Sequence, residues 1–98
     1  RFDHALDPLS RIYRTSSLVE ARLAALRSIA RIDAVEAAEL VLGALDHGGP
    51  EERETVTAAL KAGRGSRFVD VARAAYPDAS PRLRASLDEV LRARGLSV

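Results

Sequence analysis

The sequence predicts an all-α fold of antiparallel helical hairpins, stacked as a single domain over all 98 residues. Three observations carry that expectation. Eighteen alanines against two Tyr and two Phe suit closely packed helices better than a sheet, which draws on Val, Ile, Tyr and Phe. A shift of 31 residues brings Arg22, Arg53 and Arg84 into line, then Ala25, Val56 and Leu87, then Ile29, Leu60 and Leu91, and Pro50 with Pro81. A period of this size marks stacked supersecondary units. Finally, Gly, Pro and capping residues punctuate the chain at helix-length intervals, and no segment alternates with period two.

The elements follow in order. A first helix is expected over 4–13, "HALDPLSRIY". The second, 17–31, opens with Ser17 and Glu20 at capping-box spacing and carries the stripe Ala21, Ala25, Ser28, Ile29 and then Ile32. The third, 33–46, opens with Asp33 and Glu36 in the same arrangement and stops at Gly48-Gly49. The fourth, 50–62, starts with Pro50 in a first-turn position and stops at Gly63-Arg64-Gly65. The fifth spans 67–76. The sixth, 81–94, follows Ser80-Pro81, carries Leu83, Leu87, Val90 and Leu91, and stops at Gly95. The alternate helices obey the same shift: Ala38 with Val69, Val41 with Ala72, Leu45 with Tyr76. The expected core is Ala25, Ile29, Leu40, Val56, Leu60, Val69, Leu87 and Leu91. Stacked repeats expose apolar surface at both ends unless capped. Phe2, Leu6, Leu9, Ile12 and Tyr13 are expected to cover the first face, and the outer charges of "SLDEVLRARG", Asp88, Arg92 and Arg94, to cap the last.

"ARLAALRSIARI", "ERETVTAALKAG" and "LRASLDEVLRARG" resemble the second helix of HEAT repeats, which often opens with an apolar residue followed by Arg. "VEAAELVLGALD" and "RFVDVARAAYPD" resemble the preceding helix. The resemblance covers residues 17–95, departs from the pattern at Glu52, and implies a short α-solenoid whose second helices line the concave face. "AAELVLGALDHGGPEERE" also resembles the gating domain of magnesium transporters and flagellar rotor segments, but the arginine triplet favours HEAT.

Composition narrows the function classes. A net charge of +1 gives no whole-chain case for nucleic acid or an acidic membrane. The absence of Cys excludes disulfides and thiolate chemistry. No apolar run approaches the roughly 20 residues that span a bilayer. The opening "RFDHALD" does not read as a signal peptide, so a cytoplasmic location is expected. Without an initiator Met, the chain reads as part of a larger protein.

Catalysis has little to stand on. His4 and His47 lie near helix ends, and neither precedes Glu as the repeated His-Glu pairs of HEAT-type hydroxylases do. The Trp of HEAT-type DNA glycosylases is absent. Ser16-Ser17, Ser66 and Ser80 read as caps. "KAGRGSRF", residues 61–68, lacks the preceding strand and the Gly-Lys-Ser/Thr ending of a phosphate loop, and reads as an interhelical turn. The expectation is a non-enzyme with neither cofactor nor metal.

What remains is binding. "GGPEERETVTAAL" sets Arg53 among Glu51, Glu52 and Glu54, but because Arg22 and Arg84 recur at its position, all three read as structural. Each stem packs beside the core and each guanidinium reaches a carboxylate or carbonyl, with Asp46 and Asp78 as candidates for Arg53 and Arg84. Glu51 and Glu52 then complement the helix dipole. Opposite the core runs a ridge of mixed sign: Leu23, Arg27 and Ala30; Glu54, Ala58 and Lys61; Ala85, Glu89 and Arg92. A phosphate backbone calls for a line of one sign, so a protein or peptide partner suits this ridge better. The alternative is nucleic-acid binding through a basic patch of Lys61, Arg64, Arg67, Arg92 and Arg94.

Overall fold

Most helices begin and end where the punctuation falls. The computed structural model describes residues 6–97. Among them are six helices and no strand: α1 Leu6–Thr15, α2 Val19–Ile29, α3 Val35–His47, α4 Pro50–Ala62, α5 Ser66–Ala75 and α6 Pro81–Ala93, with a 3-10 turn Tyr76–Asp78 after α5. Phe2 and His4 lie outside the described residues. The bounds match at the prolines, which open α4 and α6. Ser80 caps α6, its Oγ accepting the Leu83 amide at 3.1 Å. Gly95, at φ 76°, ends α6: the Gly95 amide donates to Arg92 O and the Leu96 amide to Leu91 O, a Schellman motif.

The two expected capping boxes do not form. Leu18 and Ala34 precede α2 and α3 with no side-chain cap. Ser16, not Ser17, accepts the Leu18 amide, at 3.2 Å. Asp33 leaves its own helix and accepts the Arg67 amide in the first turn of α5, at 3.0 Å. A carboxylate is favoured at whichever helix N-terminus it can reach, and packing brings α5 to it. Gly65 allows that approach. A Cβ there would stand 2.9 Å from Asp33 Oδ1, although the backbone itself is ordinary at φ −65°.

α1 packs on α2; α2, α4 and α6 lie one beside the next; α3 lies beside α5 and also meets α4 and α6. Side-chain bonds between residues 29–34 positions apart join neighbouring segments, as in Arg22–Glu52, Arg53–Ser86, Ser80–Asp46 and Arg94–Leu60. That spacing is about one sequence period. The radius of gyration is 12.4 Å, close to the roughly 13 Å of a compact domain of this length.

Leu26, Ile29, Leu45, Leu60, Leu87, Leu91, Val41, Val56 and Val90 are fully buried. Each such side chain contributes about 1.5–3 kcal/mol of burial. Of the expected core, Leu40 alone is only partly buried. The buried face of α3 runs through Ala37, Ala38, Val41, Leu42, Ala44 and Leu45, which leaves Leu40 at its edge. In α2 the stripe is rotated: Leu23, Ala25, Leu26 and Ile29 are buried while Ser28 is exposed, because α2 is covered by both α1 and α4. At the first end Leu6 is buried and Leu9 and Tyr13 pack against the core, but Ile12 is exposed.

Candidate functional site

The three recurrent arginines are the fourth residues of α2, α4 and α6. Arg53 Nε donates to Leu45 O at 3.2 Å, and its Nη2 to Ser86 Oγ at 3.4 Å. Arg84 Nε donates to Tyr76 O at 3.0 Å, its Nη2 to Pro77 O, and its guanidinium lies 5.3 Å from the Tyr76 ring centroid. Leu45 and Tyr76 are themselves 31 residues apart, so the two arginines make the same contact one period on. Each reaches back to the C-terminal end of the preceding helix: Leu45 O is among the last four carbonyls of α3, whereas Tyr76 O also accepts the Ala79 amide. Arg22 differs. It stacks 5.2 Å from the Tyr13 centroid and donates to Glu52 Oε2 at 2.6 Å.

These contacts correct three expectations. Asp46 is no partner of Arg53: its Oδ1 accepts Ser80 Oγ at 2.8 Å, and its other oxygen meets His47 at 3.3 Å. Arg84 reaches carbonyls instead of Asp78. Glu52 does more than complement a dipole, because it accepts both Arg22 and the Tyr13 hydroxyl, the latter at 3.1 Å. Burial first, then the bond to Glu52, raises the Tyr13 phenol above its ordinary pKa, and that carboxylate raises Arg22. Tyr76 is raised likewise by desolvation and by its bond to Asp88, at 3.2 Å. Glu52 stands where an apolar residue is expected before Arg53, an irregularity in the sequence that coincides with this pair.

Of the expected ridge, Arg27, Glu54, Ala58, Lys61, Ala85, Glu89 and Arg92 are exposed and Ala30 is half-buried. Leu23 is buried and leaves the ridge, since α2 turns it toward its neighbours. Two shallow grooves flank α4. Arg27, Arg31, Glu54, Thr55 and Ala58 line one of about 360 Å³. Arg53, Glu54, Ala58, Lys61 and Glu89 line the other, of about 400 Å³. Ala58 borders both, and Lys61 pairs with Glu89 across the second.

The expected basic patch is divided. Arg64 and Arg67 are exposed near the α4–α5 loop. Arg92 lines a separate hollow with Asp88 and Leu96. Arg94 turns inward: its Nε donates to Leu60 O at 2.8 Å, its Nη1 to Gly65 O at 2.9 Å, and it stacks 5.4 Å from Phe68. Desolvation lowers its pKa from the ordinary guanidinium value. Arg94 and Asp88 are therefore not open charges of an end cap.

His47 is exposed, and residues 63–65 form the turn expected of "KAGRGSRF". Among the described residues no group of three or more His, Asp or Glu could hold a metal ion, and no helix is long and apolar enough to cross a membrane. Comparisons with protein-family models, curated proteins and solved structures give no match to this chain.

Proposed function

We propose that the chain is a short HEAT-like α-solenoid that works without catalysis, as an interaction or scaffold module, by binding a protein or peptide along α2, α4 and α6. The observation that carries this reading is the pair of grooves beside Ala58, where small side chains lie between charges of both signs: Arg27, Arg31, Glu54, Lys61 and Glu89. An extended segment or a helix with charges of both signs fits such a surface. The 31-residue recurrence and the one-period bonds support the solenoid part, since each repeat then touches its neighbours. The nucleic-acid reading is weaker, with Lys61 paired to Glu89 and with Arg64 and Arg92 lining separate hollows.

The test is selection of peptides from a random display library, followed by affinity measurement on variants. Ala58→Arg fills both grooves at an exposed position and should abolish binding while the melting temperature holds. Arg27→Glu should weaken it about tenfold, the scale of one charge-assisted hydrogen bond. Selected peptides that bind Ala58→Arg as tightly as wild type would refute the groove. Tight duplex binding with a steep salt slope would favour the nucleic-acid reading instead.

A further inference from the structure

A cleft of about 620 Å³ opens where the α4–α5 loop meets the C-terminal end of α6. Its volume lies in the range of small-molecule sites. Lys61, Arg64, Arg73 and Arg94 line it, against a single acid, Asp70. Arg94 is half-buried, and its hydrogen bonds among the described residues go to the neutral carbonyls of Leu60 and Gly65. Asp33, the carboxylate that acts on it, is engaged by the Arg67 amide. Partly burying a guanidinium is costly; the Asp33 carboxylate and two carbonyls offset that cost in part, and an anion in the cleft would offset more of it. Arg73 reaches across to Ser97 O at 2.8 Å, and Arg64 is exposed at the loop.

We propose that this cleft binds a single phosphate monoester, with the Arg64 guanidinium and the N–H groups that Arg94 and Arg73 do not spend on carbonyls as donors to its oxygens. Three arginines lining one cleft suit a dianion with three acceptor oxygens better than a monoanionic carboxylate. A nucleic-acid backbone fits less well, because Arg67 and Arg92 do not line the cleft, Asp70 does, and Lys61 is committed to Glu89. The cleft shares Lys61 with the second groove, but Arg64, Arg73 and Arg94 line neither groove.

O-phosphoserine, a phosphoserine peptide, inorganic phosphate and acetate are titrated into the chain by calorimetry and 31P NMR, with duplex DNA as a competitor. Saturable binding of the phosphates and weaker binding of acetate are expected. Arg64→Ala and Arg73→Ala should each weaken phosphoserine about tenfold, at unchanged melting temperature. Asp70→Asn should tighten it, and Ala58→Arg should leave it unchanged. Because Arg94→Ala endangers the fold, the two exposed arginines decide the matter. A peptide binding well above free phosphoserine identifies a phosphopeptide as the source; equal affinities identify a small phosphate. The proposal is overturned by non-saturable binding, by acetate matching phosphate, or by an Arg64→Ala/Arg73→Ala double variant that binds like wild type. It is equally overturned if duplex binds with a steep salt slope and phosphoserine does not compete.

Discussion

Arg53 and Arg22 occupy the same position one period apart and solve the same problem differently. Arg53, in the middle of the chain, donates to the Leu45 carbonyl and the Ser86 hydroxyl, both neutral. Arg22, in the first hairpin, lies over Tyr13 and pairs with Glu52. Arg84 combines the two, with a carbonyl bond as in Arg53 and a tyrosine ring as in Arg22. The repeat thus preserves the place of the guanidinium beside the core, while its partner is whatever the adjoining helix supplies. A carbonyl at a helix end is always present; a carboxylate depends on one residue, Glu52. The central junction should therefore resist salt, and the first should not.

The largest effect should come from removing what the central junction rests on. Leu60 is 1% exposed, and its carbonyl takes Arg94. Leu60→Ala should cost about 2–5 kcal/mol in denaturant unfolding, while Leu6→Ala in the end helix should cost less. Equal losses would mean that the first hairpin is as tightly built as the middle.

Next comes Arg53→Ala, expected to cost about 1–3 kcal/mol through lost packing and unsatisfied acceptors. Arg53→Lys should restore only part, since an ammonium cannot make both contacts of a planar fork. The loss should be nearly the same in 1 M salt, because the partners are uncharged. A loss that vanishes with salt would erase the distinction between the two junctions.

Arg22→Ala and Glu52→Gln should destabilise less, and in a double-mutant cycle they should couple. The coupling should shrink in 1 M salt, where the screening length falls to about 3 Å. Additive effects at low salt would show that the pair contributes nothing together.

The phenols give a pH arm. Tyr13 and Tyr76 are raised in the folded state by burial and by their carboxylate neighbours. Their protonated forms therefore favour folding. This stability is fully present below the ordinary phenol pKa near 10 and is lost as the pH rises through the raised folded values. Unfolding curves from pH 8 to 11 should fall, and Tyr13→Phe should flatten part of that fall. An unchanged slope in Tyr13→Phe would place the titration elsewhere.

The smallest effects belong to the ridge. Arg27→Ala and Lys61→Ala should shift stability by no more than about 0.5 kcal/mol, Lys61 despite its exposed pair with Glu89. A loss as large as that of Arg53→Ala would mean that these side chains carry the fold.

The all-helical class, the helices and most of the core are legible in local pattern. Pro50, Pro81, Ser80 and Gly95 act within one turn of the backbone, and the apolar spacing of α4, α5 and α6 is a local periodicity, so both could be read residue by residue. The recurrence of Arg22, Arg53 and Arg84 marked a structural position for the same reason. What the polar side chains touch depends on how the helices pack. Arg22's carboxylate, Asp33's helix, Ser80's acceptor and Arg94's carbonyls all lie 29–34 residues away. Long side chains and carboxylates take the strongest partner that packing brings within reach, and no local pattern records which partner that is. Leu23 turned inward and Asp46 turned from Arg53 to Ser80 on the same principle.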